Sequence, residues 1–198
     1  CASPERFLRK DGSSVISQPI KGTIKRGSNP SEDKMLINKL RDSQKDISEN
    51  VMIVDLVRND LSRTANRSCI NVDDFCSVYT FDRIHQMIST ISSEVAHGCH
   101  FTKILETTFP MGSMTGAPKV RAMELIDELE GCRRGVYSGS VGYFRPNGDF
   151  SLNVVIRSLL YNANQKRISM HVGGAITSLS IPEKEYEECL LKAEAMLK

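Results

Sequence analysis

The chain has 198 residues, and 26 Lys and Arg against 24 Asp and Glu leave a formal charge of +2. So even a balance argues against a basic nucleic-acid binder or a membrane-surface protein. Hydrophobic residues at 40% and charged residues at 25% argue against disorder.

No apolar run approaches the ~20 residues needed to span a bilayer, and no secretory signal pattern is visible. The six cysteines are Cys1, Cys69, Cys76, Cys99, Cys132 and Cys189. None forms a CxxC pair, and a chain of this size does not need disulfide staples, so reduced thiols in a cytoplasm are expected. The first residue is Cys, and the pattern opens in mid-course with Ser3-Pro4-Glu5-Arg6-Phe7. A fragment of a longer protein is expected.

Gly27–Asp33 reads as a loop. Ser31 is a candidate cap for a helix starting near Glu32, with Met35, Leu36 and Leu40 at helical spacing. Val51, Met52, Asp55, Leu56 and Asn59 suggest the inner stripe of a second helix after Ser48, with Glu49 in its first turn. Strand patterns follow at Cys69–Val72, Val78–Thr80 and His85–Val95. Phe101–Phe109 and Pro118–Leu129 read as helices, the second burying Val120, Met123, Leu125 and Ile126. Three strand patterns then run in sequence, Tyr137–Phe144, Phe150–Tyr161 and Arg167–Val172. Asn147-Gly148 marks a two-residue hairpin turn between the first two. Pro182–Leu197 closes the chain as a helix, acidic early at Glu183 and Glu185. The sum is an α+β domain rich in antiparallel pairs.

Several short stretches carry chemistry. Lys21 stands beside Gly22 in Pro19-Ile20-Lys21-Gly22-Thr23. Such a lysine is either an ordinary surface cation or, in a desolvated site, a nucleophile. Gly112 to Lys119 precedes a helix and is either a nest of amides for an anion or a plain cap. Gly173-Gly174 offers a close backbone approach. Glu49, Glu185 and Glu188 are candidate Mg²⁺ ligands among many carboxylates. Arg157 interrupts an apolar run and needs an anionic partner, either a substrate carboxylate or an internal acid. His85 opens a strand, where a structural role is the ordinary reading.

In this order these blocks resemble the chorismate-utilising enzymes. The resemblance covers essentially the whole chain. It is carried by Ser3–Leu8, Pro19–Thr23, Glu49–Leu56 with Arg58–Leu61, Phe109-Pro110 through Gly116–Lys119, Tyr137–Gly139 with Gly142-Tyr143, Ile156–Ser158 and Glu185–Glu188. It implies a fold of two antiparallel-rich sheets packed together with helices outside. Residues 1–198 would be the C-terminal part of the catalytic domain, with the N-terminal part absent.

Pro-Ile-Lys-Gly-Thr is similar to the branch that aminates chorismate at C4, giving 4-amino-4-deoxychorismate for p-aminobenzoate and folate. The anthranilate-forming branch typically has alanine at the position of Lys21. The resemblance implies Glu5 as general acid, Lys21 as covalent nucleophile, and His85 as a histidine near the ring whose role in this branch stays open. Gly22 and Thr23 would line the ring. Tyr137, Arg157 and the backbone of Gly173, Gly174 and Ala175 would hold the enolpyruvyl carboxylate. Glu49 and Glu188 would hold Mg²⁺, with Glu185 in support. The implied partners are chorismate and a glutamine amidotransferase subunit supplying ammonia, with neither nucleic acid nor membrane. The alternatives are an anthranilate- or isochorismate-forming enzyme, or a ligand-binding subunit without activity.

Overall fold

The computed structural model describes residues 1–197, apart from the side chains at positions 67, 68 and 195. A seven-stranded antiparallel sheet is its frame. The strands are β1 (Arg6–Asp11), β2 (Ser14–Gln18), β3 (Ile20–Lys25), β4 (Ala65–Thr80), β5 (Ile84–Val95), β6 (Gly142–Phe144) and β7 (Phe150–Asn153). A separate hairpin pairs β8 (Leu159–Asn162) with β9 (Arg167–Met170).

β5 is the axis of the sheet. β4 runs along one edge of it, while β2 and then β3 run along the other. Pro19 separates β2 from β3 because it has no N–H to give the ladder. The pairing nevertheless continues past it, from Ser17 opposite Ile91 to Ile20 opposite Ile88. The register then slips between Ile20 and Thr23, which stands opposite Gln86. That bulge contains Lys21 and Gly22. A bulge bends its strand and re-aims a side chain.

Among the described residues five α-helices accompany the sheet: α1 (Pro30–Arg41), α2 (Gln44–Ser62), α3 (Phe101–Thr108), α4 (Lys119–Leu129) and α5 (Pro182–Leu197). The cap of α1 is Asn29, which accepts from the Glu32 amide, rather than Ser31. The second helix starts at Gln44, not after Ser48, because Ser43 caps it through the Asp46 amide. Its inner stripe pairs Glu49 with Asn50, Ile53 with Val54, Leu56 with Val57, and Asp60 with Leu61. Val51 and Asp55, expected inside, are exposed. The expected stripe was rotated because three of the buried positions are polar. Asn50 accepts from Ser89 Oγ on β5 at 2.5 Å, and Asp60 accepts from Lys119 Nζ at 2.5 Å.

The apolar core lies between α2 and the sheet and includes Phe7, Leu8, Val15, Ile53, Leu61, Ile91, Ile104 and Phe150. Burying one such side chain contributes about 2 kcal/mol. The odd residues of β5 from His85 to Ile91 have no measurable exposure, as alternation on a half-buried strand dictates.

Other expectations change. The Asn147-Gly148 turn sits in a five-residue loop, since Phe144 pairs with Phe150. The strand expected from Phe150 to Tyr161 breaks at Val154–Ser158, where Arg157 has φ 51°. Tyr137 lies outside β6 and before Ser138, whose φ is 67°. The apolar face of α4 is uncovered: Val120 is 72% exposed, and no described residue of the helix is buried. Cys1, Cys76, Cys99, Cys132 and Cys189 are thiols. No described helix is long and apolar enough to cross a membrane.

Candidate active site

Gly22 positions the site. Its φ is +90°, and a Cβ there would stand 3.0 Å from Asp46 Cβ and from Leu40 Cδ1. Only a residue without a side chain lets the β3 bulge close onto the corner between α1 and α2. That approach carries Lys21 to the first turns of α2, where Lys45 and Glu49 project. Gly22→Ala is expected to cost about 2 kcal/mol in urea denaturation, from the left-handed backbone and the clash together.

Glu5 lies just before β1, 7% exposed. Its backbone oxygen accepts from the Val154 amide at 3.0 Å, and the Ala2 amide donates to Arg157 O at 3.1 Å. These bonds seat the chain's first residues against the break after β7. Burial pushes the Glu5 carboxyl up to about 7, against the opposing effects of the Ser113 hydroxyl and the Lys21 charge. Ser113 belongs to a 3-10 turn, Gly112–Met114, inside the stretch read as an anion nest or a cap. Its hydroxyl lies close enough to Glu5 to oppose the upward push of burial. The lysine of that stretch, Lys119, is bound to Asp60 and to Thr108 O. A cavity of ≈ 20 Å³ beside Glu5, lined also by Asp60, Thr108 and Ser113, is about the space one water needs.

Lys21 therefore acts on two carboxyls, since its charge also opposes the upward push of burial on Glu49. Glu49 is 8% exposed, and its Oε1 has no hydrogen-bond donor. Lys45 Nζ is 3.9 Å from that oxygen and 2.6 Å from Glu185 Oε1 on α5. Burial pushes Glu185 up, but hydrogen bonds from Lys45 and Ser180 outweigh it and hold the carboxyl below its ordinary value. Glu188 pairs with Lys192 at 2.5 Å, and its charge also reaches Lys45.

The three carboxylates expected to hold Mg²⁺ thus surround one ammonium. Among the described residues they are not grouped tightly enough to form a ready-made metal set, because Lys45 and Lys192 draw Glu185 and Glu188 to themselves. The donor set nevertheless fits a hard divalent cation. All three are carboxylates, and one buried oxygen has no partner.

A second cluster faces the same helix. Tyr137 stacks on His171 with ring centres 5.5 Å apart, and burial raises its phenol while the charges of Arg134 and Arg157 oppose. A Cβ on Gly173 would meet Tyr137 Oη at 3.1 Å, and one on Gly174 would meet Glu185 Oε2 at 3.3 Å. Lys192 donates to Gly173 O at 2.9 Å, and Ala175 O accepts from Ser180 Oγ at 3.4 Å. So Tyr137, Arg157, Gly173, Gly174 and Ala175 gather beside the carboxylates of α5.

His85 does not join them. It is fully buried, with Nε2 2.9 Å from Asp33 Oδ1 and Nδ1 2.9 Å from Thr80 Oγ1. Asp33 in turn accepts from Arg26, which holds its carboxyl well below the usual range. Both ring nitrogens are engaged, by Thr80 and Asp33 and not by the groups above. Strand alternation is the reason. The residue of β5 turned toward the site is Gln86, whose Nε2 donates to Thr23 Oγ1 at 3.4 Å. Four contributors escaped the sequence reading: Ser113, Gln86, Lys45 and Lys192. The two lysines had a signal, each lying four residues from an assigned glutamate. A wider cleft, ≈ 590 Å³ and lined by Lys10, His97, His100 and Arg145, lies at the far end of the strands and holds none of the assigned residues.

A buried acid, a lysine on a bulge, three glutamates around Lys45, and Tyr137 with Arg157 and Gly173 nearby are thus set on one antiparallel α+β frame. Residues 1–198 match the chorismate binding enzyme family throughout, and the chain belongs to it. The chain is 46% identical over 195 residues to the chloroplastic aminodeoxychorismate synthase of Arabidopsis thaliana, covering 98% of this chain and 21% of that one. It is 43% identical over 196 residues to aminodeoxychorismate synthase component 1 of Escherichia coli K12, covering 99% and 43%. Among solved structures, anthranilate synthase component I from Streptococcus pneumoniae TIGR4 superposes with a TM-score of 0.83. That match is at 32% identity and covers 100% of this chain and 43% of the other. The chain therefore spans less than half the length of each of these relatives.

Proposed function

We propose that the protein containing this chain aminates chorismate at C4, giving 4-amino-4-deoxychorismate for p-aminobenzoate synthesis. The observation that carries the reading is Lys21 on its bulge, close enough to act on both Glu5 and Glu49. The relatives named aminodeoxychorismate synthase support it.

In this reading the hydroxyl is replaced by an amine at the same ring carbon through two successive allylic displacements. The Lys21 amine, as the free base, forms a bond to C2. The ring double bonds shift, and the C4–O bond breaks. Glu5 gives its proton to the departing hydroxyl, which leaves as water. A carboxyl raised to about 7 still carries that proton near neutrality. Ammonia then forms the C4–N bond, the double bonds shift back, and the C2–N bond breaks to return the Lys21 amine. Tyr137 and Arg157 hold the enolpyruvyl carboxylate, and Gly22 and Thr23 lie under the ring.

A Mg²⁺ ion, held by Glu49 and Glu188 with Glu185 in support, supplies charge neutralisation for the ring carboxylate when bound. Ammonia comes from a glutamine amidotransferase partner, as the name component 1 of a relative suggests. The test uses the complete protein with chorismate, Mg²⁺ and ammonium, with products separated by chromatography and identified by mass. Aminodeoxychorismate is expected. Anthranilate or isochorismate as the product would overturn the assignment.

A further inference from the structure

Lys45 stands among the site's carboxylates, and the reaction above does not use it. It occupies the first turn of α2, where the helix dipole disfavours a cation. Its position is therefore set by the acids around it and not by its own helix. Its Nζ is 2.6 Å from Glu185 Oε1 and 3.9 Å from Glu49 Oε1, and the charge of Glu188 reaches it as well. These are the three carboxylates assigned to the divalent cation. The Glu49 oxygen facing Lys45 is buried without a donor, so the ammonium hydrogen-bonds Glu185 and reaches Glu49 only by charge. The Lys45 side chain is 38% exposed, which leaves it a path into solvent.

We propose that Lys45 and a divalent cation compete for the same carboxylates, so that the ammonium seated on Glu185 beside Glu49 must swing outward when the cation enters. Lys45 is then a positioning residue. It keeps Glu185 and Glu49 on facing helices within reach of one ion, and its pairing lowers the affinity for that ion. The proposal rests on the reading of Glu49, Glu185 and Glu188 as the cation site.

The test is Mn²⁺ titration of the complete protein, with free ion followed by electron paramagnetic resonance and Mg²⁺ as competitor. Lys45→Met is expected to bind Mn²⁺ about tenfold more tightly than the parent, the size of one lost charge-assisted contact. Lys45→Gln, uncharged and still polar, has to show the same direction. Lys45→Arg keeps the charge and is expected to gain nothing. The gain has to survive about 0.5 M KCl, which screens distant charge but not a contact. A gain abolished by salt, or unchanged or weaker binding in both uncharged variants, overturns the competition. Glu49→Gln separates the two readings. Loss of Mn²⁺ in that variant upholds the cation site whatever Lys45 does, whereas undiminished binding overturns the site and the competition together.

Discussion

Lys21→Ala in the complete protein is expected to lose amination at C4 by at least about a thousandfold, the scale of removing a covalent nucleophile. Alanine leaves ammonia to attack C2 directly, so any residual product is expected to carry nitrogen there. Lys21→Arg is expected to be equally inactive, because a guanidinium does not give up its proton and cannot supply a lone pair. Chorismate affinity, read from ligand-dependent thermal stabilisation, is expected to change little in either variant, since Tyr137 and Arg157 remain. Unchanged rate and product in Lys21→Ala would remove the covalent step from the mechanism.

Glu5→Gln separates catalysis from stability. The variant keeps an acceptor for the Ser113 hydroxyl but has no proton to donate. Turnover is expected to fall by about 10²–10⁴, the range of a lost general acid. Stability is expected to move the other way above neutrality. Burial raises the Glu5 carboxyl from 4.5 to about 7 in the folded chain. The folded state therefore holds the proton more tightly than the unfolded one. Stability from this group is full below pH 4.5 and is lost as pH rises through 7. Its loss costs up to about 3 kcal/mol. Glutamine does not ionise, so melting temperatures of parent and variant should coincide near pH 4 and separate near pH 8.5, with the variant higher. Parallel curves across that range would show that Glu5 titrates normally.

Much of the frame was legible in residue patterns. Alternation through Met87, Ser89 and Ile91 marked β5, and the acidic start of Pro182–Leu197 marked α5. Reading failed where polar residues occupy inner positions. Asn50 and Asp60 lie on the buried stripe of α2 because Ser89 and Lys119 meet them from distant elements. The helix stripe was therefore drawn rotated: Leu56 is buried and Met52 packs on the core, but Val51, Asp55 and Asn59 are exposed. The setting of His85 was hidden for a related reason. Its partners, Asp33 and Thr80, come from α1 and β4, and nothing local says which face of a strand looks toward a site.

Short-range chemistry determines what the sequence could establish: strand and helix periods, glycine at a left-handed position, and ordered blocks of reactive residue types. The resemblance that those blocks carry then implied Glu5, Lys21, Glu49 and Glu188 as one set. The fold alone settled how they are tuned. The Lys21 bulge follows from a register slip against β5, and the raised Glu5 carboxyl follows from burial, which outweighs the Ser113 hydroxyl and the Lys21 charge. The seating of Lys45 among three glutamates needs α2 and α5 to face each other. Each of these depends on charge, desolvation and contact between residues far apart in the chain, and such terms have no period for a sequence to display.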